Sequence, residues 1–153
     1  RVVKACALDV DLRFMPDGDL TPVAQGGATL SGGQRARVGL ARAAYSAAVA
    51  MRERPESRPL VLLDDPFAPL DHAAAQQVSE ALLAGPSALL GRCAVVVTTA
   101  DAWWVASLPA GTSSRLRLAV LREGRLVASG TPGELRDEAL PDLDGALRGG
   151  PRA

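Results

Sequence analysis

The chain has 153 residues, enough for one domain or a piece of one. With 48% apolar residues but only 3% aromatics, its core must be built from Leu, Val and Ala. The 17 basic residues balance 17 acidic ones, and zero net charge argues against broad electrostatic capture of nucleic acid or of an acidic membrane.

Lys4 is the only lysine, so arginine carries the remaining positive charge. Cys6 and Cys93 lie far apart without metal-ligand spacing and read as buried, reduced thiols of a cytosolic protein. No signal peptide is legible and the chain does not begin with Met. Its best apolar stretch, Val38 to Met51, is interrupted by Arg42 and falls short of the roughly 20 residues a membrane helix requires.

In chain order, Val2 to Met15 predicts a short helix, closed by a turn at Pro16-Asp17-Gly18-Asp19. Thr21 to Leu30 is a Gly-rich loop. Ser31 is a good N-cap for a helix from about Gly33 to Arg52, in which Val38, Ala41, Tyr45 and Ala48 form a stripe expected to be buried. Arg52 to Pro59 reads as a polar surface linker. Leu60 to Leu63 predicts a buried parallel strand ending in two aspartates. Pro66 to Leu70 turns, and Asp71 caps a helix from about His72 to Ala84. Cys93 to Thr98 is a second strand, and Asp101 caps a short helix through Trp103, Trp104 and Leu108. Leu116 to Leu121 and Arg125 to Ala128 flank Glu123-Gly124 as a hairpin. Thr131 caps a helix to about Leu140, with Pro132 at its first position and Glu134 three residues past the cap. The tail from Pro141 is rich in Gly and Pro. Strands alternating with helices predict an α/β parallel sheet.

Three motifs carry chemistry. In Leu30-Ser31-Gly32-Gly33-Gln34, two glycines between a serine cap and a helix let backbone amides approach an anion closely, helped by the helix dipole. Ser31 adds a hydroxyl donor, which makes a phosphate receptor without a lysine. Leu60-Val61-Leu62-Leu63-Asp64-Asp65 is an apolar strand that delivers a carboxylate to its C-terminal end, where Asp64 can hold Mg²⁺ through water beside nucleotide phosphates. Ala68-Pro69-Leu70-Asp71 follows directly and has little specificity alone. The order of the three is what discriminates.

In that order they resemble the second half of an ATP-binding-cassette (ABC) ATPase domain, from about Val2 to Leu140. Leu30 to Gln34 looks like an ABC signature, Asp64 matches the Walker B aspartate, and Ala68 to Asp71 looks like the D-loop. Arg122-Glu123-Gly124-Arg125 through Gly130-Thr131-Pro132-Gly133-Glu134-Leu135 resembles the ending of such domains. Ala5-Cys6-Ala7-Leu8 to Asp11-Leu12, then Pro16 to Thr21, is similar to the helical subdomain of exporters, closest to subfamily C, the multidrug-resistance-associated type. Asp65 agrees, because a first nucleotide-binding domain of that subfamily commonly has Asp where others have a catalytic Glu.

The resemblance implies a P-loop NTPase (RecA-like) sheet with an ABC helical subdomain, incomplete at the N-terminus. Residues 1–58 would be the end of the helical subdomain with the signature helix, 59–140 the C-terminal part of the core, and 141–153 a flexible tail. It implies ATP and Mg²⁺ as cofactors. Ser31, Gly32, Gly33, Gln34 and Asp71 would contact nucleotide, and Asp64 would hold the metal. The implied partners are a second nucleotide-binding domain, met head to tail, and transmembrane domains, at the cytoplasmic face of a membrane; nucleic acid is not implied.

Four departures bear on activity. No G-x-x-x-x-G-K-[ST] loop is present, so Arg1 is expected to start inside a domain, through truncation or a gene model or pseudogene lacking its first exons, and the chain alone is expected to be inactive. Asp65, one methylene shorter than Glu, occupies the general-base position, and misplacement by about 1 Å costs on the order of 100-fold. Thr99 stands at the switch-histidine position and cannot act as a cation. Gln25 replaces the usual glutamate of the loop before the signature, and the stretch from about Ala47 to Pro59 is long for the family, as a surface insertion. His72, the only histidine, reads as a solvated first-turn residue. Of Trp103 and Trp104, one is expected to pack under the sheet, the alternatives being a partner surface or adenine stacking. The reading is ATP-driven export by the full-length protein, with three alternatives: a regulatory domain that binds ATP without turnover, a soluble ABC ATPase, and a fragment that does not fold.

Overall fold

The computed structural model describes residues 1–84, 87–100, 103–106, 108, 112 and 115–137, and the chain divides into two units, Arg1–Ala100 and Asp101–Ala153. The first unit opens with two short helices, α1 (Val2–Ala5) and α2 (Leu8–Phe14), rather than the single helix expected over Val2 to Met15. The break falls at Ala7, whose left-handed φ of 53° costs about 1 kcal/mol for a residue with a Cβ. In this bend Cys6, Ala7 and Leu8 are all buried. Burial pushes the Cys6 thiol from 9.0 up to about 11, so it stays neutral, and both cysteines are free.

Helix α3 (Gly32–Glu53) begins at the Ser31 cap and stops ahead of Pro55, before which helical backbone is disfavoured. Its buried stripe is Leu40, Ala44 and Ala47, which corrects the expected one: Tyr45 is 63% exposed. In a helix this rich in alanine several adjacent stripes are apolar, and contact with α1, α2 and the first strand selects among them.

Strands β1 (Leu60–Asp64) and β2 (Ala94–Thr98) pair in parallel, with Leu60 opposite Ala94 and Asp64 opposite Thr98. Helix α4 (His72–Leu83) connects them and buries Ala75, Val78, Ser79 and Leu82. The expected fully buried strand is buried on one face only: Val61 and Leu63 point inward, whereas Leu60 and Leu62 are 62% and 68% exposed. Parallel strands ordinarily have both faces covered. The parallel pair and its helices are consistent with the α/β class.

In the second unit, α5 (Trp103–Ala106) carries Trp104, which is buried; the Asp101 cap expected for it lies outside the described residues. Strands β3 (Leu118–Arg122) and β4 (Arg125–Gly130) form an antiparallel hairpin around Glu123-Gly124, both at positive φ, as a two-residue turn matched to strand twist demands. The ladder has a register shift between Val120 and Leu121 and runs to Gly130, past the expected end at Ala128. Helix α6 (Pro132–Asp137) follows, and its expected continuation to Leu140 lies outside the described residues. Thr131 N–H donates to Glu134 Oε2 at 2.7 Å and Glu134 N–H to Thr131 Oγ1 at 3.3 Å. Among the described residues no helix is long and apolar enough to cross a membrane.

Candidate functional site

The sequence-predicted site residues of the first unit gather at two places. The first is the start of α3. Ser31 Oγ accepts the Gln34 N–H at 3.1 Å, while Gln34 Oε1 accepts the Ser31 N–H at 2.9 Å. This capping box occupies the amides of Ser31 and Gln34 and leaves the Ser31 hydroxyl hydrogen available to an incoming acceptor. Gly32 and Gly33 form the first turn, whose amides have no partner within the helix by construction. Around Gly32 an added Cβ would meet nothing nearer than Pro69 Cβ at 4.0 Å, so that side of the turn is open. Gly33 is different: a Cβ there would lie 3.3 Å from Pro69 O and 3.4 Å from Arg37 Nη1.

The loop before the helix is held by Arg35, whose side chain folds back so that Nη1 donates to Leu30 O at 3.3 Å. It crosses Gly27, which has φ of 76° and where a Cβ would lie 3.1 Å from Arg35 Cδ. Gln25 sits exposed in a single 3-10 turn with Gly26 and Gly27. The Ala68–Asp71 loop packs on the α3 start through Pro69 and Leu70. Buried Phe67 anchors it, Leu70 N–H closes the turn on Phe67 O at 3.0 Å, and Asp71 Oδ1 caps α4 by accepting the Ala74 N–H at 2.8 Å. His72, the first residue of α4, is exposed.

The second place is the C-terminal end of β1 and β2. Parallel register puts Asp64 beside Thr98, and the Thr98 hydroxyl donates to Asp64 Oδ1. One residue on, Thr99 Oγ1 donates to Asp65 Oδ1 at 3.0 Å, and Asp65 N–H donates to Thr98 O at 2.8 Å. Asp65 has φ of 41°, a left-handed conformation that Asp tolerates better than most residues. Asp64 is exposed and Asp65 half-buried. Both carboxylates are thus aimed by consecutive threonine hydroxyls.

Sequence reasoning missed three partners. Arg37 forms a bidentate pair with Asp11, Nε to Oδ2 and Nη2 to Oδ1 both at 2.8 Å, with the two side chains only 15% and 11% exposed. Gln34 Nε2 donates to the same Asp11 Oδ1 at 3.4 Å. Thr98 stands in the sequence only as the end of a strand. No local signal links positions 26 residues apart, whereas Thr98 was findable from the pairing register of the two strands.

No protein-family model matches the chain. Over 147 residues, 96% of its length, the chain is 37% identical to the metal resistance protein YCF1 of Saccharomyces cerevisiae, of which it covers 8%. It is 37% identical to ATP-binding cassette sub-family C member 10 of Mus musculus over 135 residues, 88% of this chain and 8% of that protein. Over 82 residues, 54% of its length, it is 48% identical to the cystic fibrosis transmembrane conductance regulator of Danio rerio, covering 5% of it. The chain therefore spans less than a tenth of the length of these relatives. Together the ordered motifs and these likenesses show that the chain belongs to the ABC transporters of subfamily C and corresponds to a stretch of one of their ABC domains.

Proposed function

We propose that this chain is the C-terminal part of a RecA-like nucleotide-binding domain, the first of two in an exporter of subfamily C, and that it completes the ATP site of its partner domain more effectively than its own. Residues 1–58 supply the end of the helical subdomain, 59–140 the C-terminal part of the core, and 141–153 a tail. The single observation that carries this reading is the reciprocal Ser31–Gln34 cap, which leaves the Gly32 turn open to an anion. Ser31, Gly32, Gly33 and Gln34 would hold the terminal phosphate of ATP presented by the second domain, with Asp71 positioning the adjoining loop. Relatives are named as transporters and one as a transmembrane conductance regulator, which supports a domain that works at the cytoplasmic face of a membrane, coupled to transmembrane domains.

The donor set at the end of β1 fits a magnesium ion bound with nucleotide. Asp64 offers one exposed carboxylate, and Mg²⁺ characteristically takes one or two protein carboxylates and completes its shell with phosphates and water. When bound, the metal neutralises phosphate charge. Asp65 at the general-base position and Thr99 at the switch position would support only weak hydrolysis there. Asp65 already accepts the Thr99 hydroxyl, which uses one of its oxygens and holds the shorter side chain at the strand end.

That same bond favours a second reading, a regulatory domain that binds ATP without turning it over. The likeness to a protein named as a conductance regulator points the same way.

The test uses the full-length protein carrying this chain. Ser31→Arg is expected to abolish nucleotide-dependent pairing and ATP turnover, and unchanged pairing and turnover overturn the reading. Absence of substrate-stimulated turnover in the unsubstituted protein, with its second domain intact, selects the regulatory reading over export.

A further inference from the structure

We infer that Asp11, which lies outside the three motifs that carry chemistry, is a positioning residue for the amide cradle at the start of α3, acting through the side-chain amide of Gln34. The inference rests on the phosphate-receptor reading above and assigns the residue that sets the receptor's geometry.

Asp11 lies on α2, and its carboxylate receives three N–H groups from α3: Arg37 Nε and Nη2, both at 2.8 Å, and Gln34 Nε2 at 3.4 Å. The carboxylate is acceptor-only, so it must face the NH₂ side of the Gln34 amide. The opposite end of that amide faces the Ser31 N–H, which is donor-only, at 2.9 Å. Only one of the two amide orientations satisfies both neighbours. Asp11 therefore favours the orientation in which Gln34 Oε1 accepts from Ser31, and so closes the capping box. Remove the carboxylate and the amide is free to turn over, placing its NH₂ against the Ser31 N–H and opening the cap.

Arg37 extends the same control. Its Nη1 lies 3.4 Å from where a Cβ of Gly33 would stand, so the guanidinium lies along the second residue of the turn. The bidentate carboxylate fixes the plane of the guanidinium in a way a single contact would not. Its burial, 11% exposed at Asp11 and 15% at Arg37, removes solvent as a substitute partner. The three contacts tie the helical segment of α2 to the first two turns of α3, so the receptor is set by a residue 20 positions upstream of Ser31.

The experiment again uses the full-length protein, and reads the ATP concentration that half-saturates pairing of its two nucleotide-binding domains. Asp11→Asn is expected to raise that concentration about tenfold, within the usual range of coupling between sites. In a Gln34→Met background, where no amide remains to orient, Asp11→Asn is expected to have little further effect; a role confined to folding would leave its effect unchanged there. Asp11→Glu guards against simple loss of fold, because it keeps the charge for Arg37 while shifting the carboxylate away from Gln34. It is expected to show the pairing defect with an unchanged melting temperature.

Pairing at the unsubstituted protein's ATP concentration in Asp11→Asn or Asp11→Glu overturns the inference, as does a full Asp11→Asn effect in the Gln34→Met background. Ser31→Arg in the same assay separates the two levels. If Ser31→Arg also pairs normally, the receptor reading itself fails; if it abolishes pairing while the Asp11 variants pair normally, only the role of Asp11 fails.

Discussion

Two helices of this chain start with the same reciprocal cap but close it with different electrostatics, one with a neutral side chain and one with a carboxylate. At α3 the cap is Ser31 with Gln34, and the first two helical residues are Gly32 and Gly33. At α6 it is Thr131 with Glu134, and the first two are Pro132 and Gly133. Both closures satisfy the same backbone donors. The α6 start then spends its remaining capacity on stability. Proline removes one free amide while fixing φ for the helix, and the glutamate carboxylate sits on the positive end of the dipole. The α3 start keeps both amides, keeps them bare of Cβ, and closes the box with a neutral side chain. A capping motif alone thus identifies a helix start; on the proposed reading, the charge at the third position and the amide at the first distinguish a receptor from a fastening.

The sharpest way to break this contrast is to write the α6 chemistry into α3. Gln34→Glu is expected to lower ATP turnover of the full-length protein on the order of 100-fold, comparable to losing a preorganised anion donor. Two repulsions act: against the incoming phosphate, and against Asp11, whose carboxylate oxygen lies 3.4 Å from the Gln34 side chain. Adding Asp11→Asn removes the second alone. The double variant is expected to regain melting temperature but not turnover, and recovery of both would mean that charge at position 34 is indifferent to nucleotide.

Gly32→Pro is the next largest effect, at most about 100-fold on turnover, the lower end for one lost anion donor, since it deletes a single amide while proline is well accepted at a first helical position. Its measure is the ratio of turnover to melting temperature. A matching fall in both would assign Gly32 to folding rather than to the receptor.

What the sequence made legible in this contrast was local. The caps at Ser31, Asp71 and Thr131 are legible because cap chemistry lies within three residues of itself. The α3 stripe is not, because Val38, Ala41, Tyr45 and Ala48 fit helical spacing as well as Leu40, Ala44 and Ala47, and only neighbouring elements break the tie. The break at Ala7 carries no glycine to announce it. Of the candidate site, the signature, the aspartates and Thr99 were legible as residues. Their partners were not: the Thr98–Asp64 and Thr99–Asp65 bonds exist only once β1 and β2 are in register, and the Asp11–Arg37 pair only once α2 folds onto α3.

On the α6 side, Thr131→Ala is expected to cost about 1 kcal/mol of stability, the usual value for a lost threonine cap, read from denaturant unfolding of the second unit's signal in the full-length protein. No change in turnover of comparable size should accompany it.

The smallest effect is also the one that separates the two caps by pH. The Glu134 carboxyl is held below its ordinary value, chiefly by the Thr131 backbone N–H, then by the Thr131 side chain, with the charge of Arg117 adding to both. A depressed native pKa means that the unfolded chain binds the proton first, so stability rises with pH through that window. The contribution of Glu134 is therefore present above the ordinary carboxylate value and is lost as pH falls through the lower native one. Gln34 does not titrate, so the α3 cap carries no such limb in its own closing side chain. Glu134→Gln should flatten the acid side of the unfolding curve for α6 and leave exchange protection at the start of α3 unchanged at every pH. An acid limb that persists in Glu134→Gln would move its origin to other carboxylates and leave the two caps electrostatically alike.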